Sequence, residues 1–304
     1  MLCQISIYVG LILCLELYYI KYMKTKEDLA KVFEETENCI EVGGYKNFNG
    51  EWIELEDQEK MIDGSKMYYS LSAIKNKKFF KEFTETKIYV QNIDTFQKAH
   101  EMGSNCAVLN MASERHPGGG VKNGSRAQEE ELCRRSNLAL SLYKFSNEEW
   151  ATFKDLLEEP GKFHYPITSY GGIYSPRVKV FKSYLSYNHL DEPFECSVIS
   201  VPALRKPKLI DGKLSEEDAI KTKGKIRAIL RIALLHYHTK LVLGALGCGS
   251  FGNPPQHVAQ LFKEVLEEKE FKGHFEEICF AILEDGNSKE HGGNLKPFKD
   301  VFGV

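Results

Sequence analysis

Residues 105–143 read NCAVLNMASERHPGGGVKNGSRAQEEELCRRSNLALSLY. The apolar run from Cys106 has the length and composition of a buried strand that ends near Asn110. A loop through Pro117, Gly118, Gly119 and Gly120 follows, and then a helix whose first turns hold Gln128, Glu129, Glu130 and Glu131. Three consecutive glycines free the backbone and remove side-chain bulk, so loop amides could approach a ligand as in an anion-binding nest. Glycines also punctuate ordinary flexible loops. The acidic helix start that follows is what sets this loop apart.

The alternation continues outward in both directions. Short apolar runs at 88–90, 178–181, 196–201, 241–246 and 278–283 read as further strands. Amphipathic segments at 94–101, 127–143, 216–237 and 255–269 read as helices between them, and Ser215 with Asp218 forms a helix start. Another helix is expected from Thr25, which can cap it, with Leu29, Val32 and Phe33 on one face. The stretch 43–70 is polar and reads as irregular, and 148–176 as an irregular insertion with a short helix. Strands alternating with helices predict a three-layer α/β sheet. No linker divides the chain.

Acidic residues in a first helical turn are ordinary dipole partners. Successive helix positions point about 100° apart, so Glu129, Glu130 and Glu131 cannot all face one site. One of them could be a general acid if its pocket raises its pKa. Periodicity alone does not choose which.

A second glycine loop lies at 241–256, LVLGALGCGSFGNPPQ. An apolar strand runs into Gly247, Cys248, Gly249, Ser250, Phe251 and Gly252, and a helix starts near Pro254 or Pro255, where proline suits the first turn. That geometry offers amides and a helix N-terminus to a diphosphate. The string satisfies G-x-G-x-x-G, but no acidic residue ends a strand about 20 residues on, so a nicotinamide oxidoreductase is disfavoured.

The chain has 304 residues, a formal net charge of -3 and eight scattered cysteines with no C-x-x-C pair. A polyanionic substrate must then be held by local groups, not by a broadly basic surface, and no stripe for nucleic-acid sequence recognition is present. Buried reduced thiols and a reducing, cytoplasmic setting are expected, with neither a disulfide nor a zinc framework. Cys248 reads as a small loop residue, His236 and His238 as helix-end residues, and Arg134 and Arg135 as a solvated helix face. Residues 1–22 form an apolar extension, ISIYVGLILCLELYYI at 5–20, which is short for a spanning helix and contains Glu16. It reads as an upstream extension, with Met23 as an alternative start, as a signal sequence or membrane anchor, or as a buried helix or strand. Residues 23–304 read as a single domain.

Taken together, these residues resemble the microbial-type poly(ADP-ribose) glycohydrolases. That family's signature is three glycines, six to eight residues, then Gln-Glu-Glu. Here Gly118-Gly119-Gly120 is followed by seven residues and Gln128-Glu129-Glu130. Asn110 with Ala112 resembles its N-x-A element, 166–182 its strand pair, 244–255 its second phosphate loop and 280–286 its last core strand. The resemblance implies a macrodomain-like mixed sheet flanked by helices, with an N-terminal helical extension. It implies hydrolysis of ribose–ribose bonds in poly(ADP-ribose), without cofactor or metal, by a monomer. The related alternatives are a hydrolase of single ADP-ribose units on macromolecules and a non-catalytic ADP-ribose reader. It implies Glu130 as catalytic acid and Glu129 as holder of the ribose hydroxyls. Asn110, Gln128 and Gly118–Gly120 would contact the substrate. Gly247, Cys248, Gly249, Ser250, Phe251 and Gly252 would wrap the diphosphate.

Overall fold

The computed structural model describes residues 24–74, 83–103, 105–146, 165–284 and 292–304. The expected helix at Thr25 forms as α1 (Lys26–Glu41), closed by a capping box between Thr25 and Asp28. Each residue satisfies the other's orphan amide, at 2.8 and 3.1 Å. The apolar extension 1–22 lies outside the described residues.

Seven strands form the central sheet: β3 (Lys66–Tyr68), β4 (Lys87–Gln91), β5 (Cys106–Met111), β6 (Gly172–Lys182), β7 (His189–Val201), β10 (Lys240–Leu243) and β11 (Glu277–Ala281); β8 (Leu209–Ile210) and β9 (Lys213–Leu214) pair with each other apart from it. Their order is β3-β6-β7-β5-β10-β11-β4. The run from β7 to β4 is parallel, and β6 and β3 are antiparallel additions at one side. Alternate residues of β5 enter different cores, Cys106 and Val108 one, Ala107 and Leu109 the other. Over the first face lie α1, α3 (Thr95–Met102), α4 (Gln128–Arg135) and α5 (Leu138–Tyr143). Over the second lie α6 (Glu216–Leu235), α7 (Pro255–Leu266) and α8 (Leu295–Phe302). The three-layer, macrodomain-like mixed sheet is as expected.

Several readings are corrected. The stretch 43–70 is not irregular: it holds β1 (Gly44–Lys46), β2 (Trp52–Glu54), α2 (Gln58–Gly64) and edge strand β3. Three-residue strands are too short to show alternation and are defined by their pairing. The insertion at 148–176 is strand β6 from Gly172, and residues 147–164 lie outside the described residues. The helix expected over 127–143 is two helices. Ser136 is extended and bridges Val180, and Asn137 exchanges bonds with Lys179, so β6 captures the backbone between them.

Arg134 and Arg135 are not on a solvated face, being 0% and 2% exposed. α1 packs over α4, where Thr36 donates to the Arg134 carbonyl at 2.6 Å, and Asp94, Phe96 and Tyr184 enclose Arg135. His236 and His238 are not plain helix-end residues. His236 stacks on Tyr174 and bonds the Tyr68 hydroxyl, and His238 bonds the Tyr174 hydroxyl at 2.9 Å. The six described cysteines are free and buried. Among the described residues no helix is long and apolar enough to cross a membrane, and no group of three His, Cys, Asp or Glu could hold a metal.

Candidate active site

β5 and β10 are parallel neighbours, so the loops that leave their C-terminal ends lie side by side above the sheet. Ligands of open α/β sheets collect at such carboxyl ends. The first loop follows β5 and leads into α4; the second follows β10 and leads into α7.

Gln128 locks the start of α4 to the end of β5. Its side-chain oxygen accepts from Met111 N at 2.8 Å, and its amide donates to Leu109 O at 2.7 Å. Both ends of the amide bond backbone, so Gln128 positions the helix. The clamp fixes the rotation of α4, which turns Glu129 and Glu130 toward the glycine loop. Glu131 faces elsewhere: its carboxylate accepts from Arg134 at 2.8 Å and from the Tyr187 hydroxyl at 2.7 Å.

The glycine loop folds over the acidic pair. Gly120 N donates to Glu130 Oε1 at 2.8 Å, and Gly118 N donates to Glu129. Gly119 N donates to His116 O. These amides hold the two carboxylates and close the turn. Gly119 sits at φ +58, and a Cβ there would lie 2.5 Å from Glu130 Oε1 and 3.1 Å from Glu129 Oε2. Only glycine fits over the pair.

Glu129 is surrounded by donors. Ser113 N reaches Oε2 at 2.6 Å, Asn110 Nδ2 lies 3.4 Å from Oε1, and Gly118 adds a third. Even so, burial dominates and lifts its pKa to about 8, helped by the neighbouring Glu130. Asn110 is fully enclosed beneath Glu129, with Nδ2 also 3.0 Å from Ser200 Oγ and Oδ1 without a partner. Glu130 is 7% exposed. Its Oε1 is held by Gly120, and its Oε2 is buried with no hydrogen-bond partner. It is the one oxygen of the pair's carboxylates left for a ligand.

The second loop is closed by Asn253, whose amide donates to Leu204 O at 2.7 Å and Gly247 O at 3.0 Å. Gly247 has φ +74, and a Cβ there would come within 2.6 Å of Ala203, so the turn requires glycine. The amides of Gly249, Ser250 and Phe251 bond no described residue, and a Cβ on Gly249 would meet open space. These amides lie beside the N-terminus of α7, a geometry that suits an anion. Cys248 is buried, and burial pushes its thiol well above the ordinary range, which bars it as a nucleophile. The enclosing residues that sequence reasoning missed are Ser113, whose amide holds Glu129, and Asn253, which follows the loop. Both act through contacts that no spacing reveals.

Two measurements check this geometry. Gly119→Ala is expected to push Glu130 aside and abolish hydrolysis, whereas ADP-ribose affinity, measured by calorimetry, should fall much less. Equal loss of both would return the loop to a ligand-holding role. The second concerns pH. Burial raises the folded-state pKa of Glu129 above the ordinary value of 4.5, so its contribution to stability is fully present below that value and is lost as pH rises toward about 8. Glu129→Gln should therefore flatten the decline of Tm over that interval. An unchanged profile would mean that Glu129 is ionised in the fold.

Residues 33–183 match the family model described as microbial-type PARG, catalytic domain, PARG being poly(ADP-ribose) glycohydrolase. The match contains the first loop and the acidic pair; the second loop lies beyond it. A poly(ADP-ribose) glycohydrolase from Thermomonospora curvata is 28% identical, with 91% of this chain and all of that chain covered at a TM-score of 0.75. The T. curvata enzyme bound to the inhibitor ADP-HPD is 29% identical over 90% of this chain and 99% of that one, at a TM-score of 0.72. The Deinococcus radiodurans enzyme in complex with ADP-ribose is 28% identical over 82% of this chain and 98% of that one, at 0.61. No curated protein matches the chain.

Proposed function

We propose that this chain, which belongs to the microbial-type poly(ADP-ribose) glycohydrolase family, hydrolyses the ribose–ribose O-glycosidic bonds of poly(ADP-ribose) with Glu130 as the acid. The observation that carries the residue assignment is the enclosed, unpartnered Oε2 of Glu130 beside Gly119. Glu129, held from three sides, supports a positioning role and a contact to the ribose hydroxyls.

The second loop and the N-terminus of α7 hold the diphosphate, and Phe251 lies beside the distal ribose. Glu130 donates a proton to the leaving ribose oxygen as the glycosidic bond breaks. Positive charge builds on the distal ribose and is stabilised by the nearby diphosphate. Glu130, now ionised, takes a proton from the attacking water, which completes the hydrolysis and restores the acid. One carboxylate thus serves as acid and then base, unlike the usual two-carboxylate plan.

Purified protein supplied with poly(ADP-ribose) should release free ADP-ribose. Binding of polymer without release would identify a reader. Release from singly modified protein but not from polymer would identify a hydrolase of single units.

A further inference from the structure

The buried side chains of α6 include two polar groups that the site described above does not use. Thr222 and Lys225 are 3% and 4% exposed and stand one turn apart, on one face of the helix. Thr222 Oγ1 is enclosed without a hydrogen-bond partner, and Lys225 makes no hydrogen bond or ion pair to any described residue. The Lys225 nitrogen is not among the fully enclosed polar atoms, so its stem is packed away and its tip keeps an opening. Burying an ammonium without a counter-charge is unfavourable. It lowers the pKa of Lys225 to about 8, and only Glu114 opposes this, through space.

Glu114 places the pair relative to the site. It follows Ser113, whose amide holds Glu129, and its carbonyl accepts from Ile167 N at 2.9 Å. The segment from Ile167 leads to Tyr170, whose ring packs on Gly224 beside Lys225. This part of α6 therefore borders the segment at Glu114, next to the residue whose amide holds Glu129. The phosphate-binding second loop leaves from β10 on the opposite side of β5 from β7, over which α6 packs.

We propose that Lys225 and Thr222 form an anion subsite for the diphosphate of the unit on the leaving side of the scissile bond. The inference rests on the glycohydrolase reading. In a polymer the leaving oxygen belongs to a ribose that carries its own diphosphate a few bonds away. A cation facing Glu114, next to the residue whose amide holds Glu129 and on the side of β5 away from the second loop, is placed to take it. Lys225 supplies the charge and Thr222 a hydroxyl donor, and binding provides the partners that both groups lack.

The test compares poly(ADP-ribose) with an ADP-ribosyl substrate whose leaving group is an uncharged phenol. In Lys225→Gln the ratio of kcat/KM for polymer to that for the phenol substrate should fall about tenfold to a hundredfold, the usual worth of a hydrogen bond to a charged group. The dependence of polymer kcat/KM on salt should become shallower. An unchanged ratio overturns the subsite. Lys225→Met keeps the packed stem without a polar end and serves if the Gln variant fails to fold. A Met variant with higher Tm and an unchanged ratio would make Lys225 a tolerated buried charge only. Polymer affinity measured against free ADP-ribose affinity needs no turnover. It therefore tests the subsite even if the native chain releases no ADP-ribose, the result that would refute the glycohydrolase reading itself.

Discussion

Glu130→Gln is expected to lower polymer hydrolysis by about 10²–10⁴-fold, the usual contribution of a positioned acid–base group, while ADP-ribose affinity stays close to that of the native chain. The amide retains an oxygen for Gly120 N, so the glycine loop keeps its closure. What it lacks is the proton for the leaving oxygen and the carboxylate that later activates water. The second loop, proposed to hold the diphosphate, is untouched. Two companion variants make the result specific. Glu129→Gln should reduce turnover less than Glu130→Gln, because Glu129 is already enclosed by Ser113, Asn110 and Gly118. Glu131→Gln should act on stability and not on turnover, because that carboxylate serves Arg134 and Tyr187. Hydrolysis and ADP-ribose binding measured for all three decide the assignment. Near-native turnover by Glu130→Gln, or a deeper loss at Glu129, would overturn it.

Asp94→Ala should be the most destabilising of the single substitutions considered, at about 3–5 kcal/mol, the usual cost of removing one partner from a buried ion pair. Asp94 and Arg135 are both almost fully enclosed, and the guanidinium reaches the two carboxylate oxygens at 2.9 and 2.7 Å. The Arg135 guanidinium also lies over the rings of Phe96 and Tyr184, at 5.3 and 5.2 Å from their centroids. Asp94 does a second job, since its Oδ1 caps α3 through Gln97 N at 3.0 Å. Alanine removes the cap and leaves Arg135 charged with no acid in reach. Because Arg135 ends the helix that carries Glu129 and Glu130, activity should be lost along with stability. Chemical denaturation reads the effect, and a change below about 1 kcal/mol would mean that water replaces the carboxylate. The double variant Asp94→Ala with Arg135→Met should recover much of the loss, since an uncharged stem needs no partner.

Much of the architecture was legible along the chain because strands and helices write their own periods into the sequence. The runs at 106–111, 196–201 and 278–283 are apolar because both faces of a mostly parallel sheet are covered. Thr25 with Asp28, and Ser215 with Asp218, mark helix starts through contacts only three residues long. The two glycine loops and the acidic helix between them are equally local, and so were the residues that point to an ADP-ribose site. What was not legible depends on partners far away in sequence. Arg134 and Arg135 look like a wet helix face until α1, about a hundred residues earlier, packs over Arg134, and Asp94, about forty residues earlier, pairs with Arg135. The helix over 127–143 looks continuous until β6 captures Ser136 and Asn137. The role of the glycines divides in the same way. Their presence, and the freedom of φ at Gly119 and Gly247, follow from the residue type. That the first loop spends its amides on Glu129 and Glu130 while the second leaves three amides open was decided only by tertiary packing, because a hydrogen bond is assigned by distance in space and not by spacing in the chain.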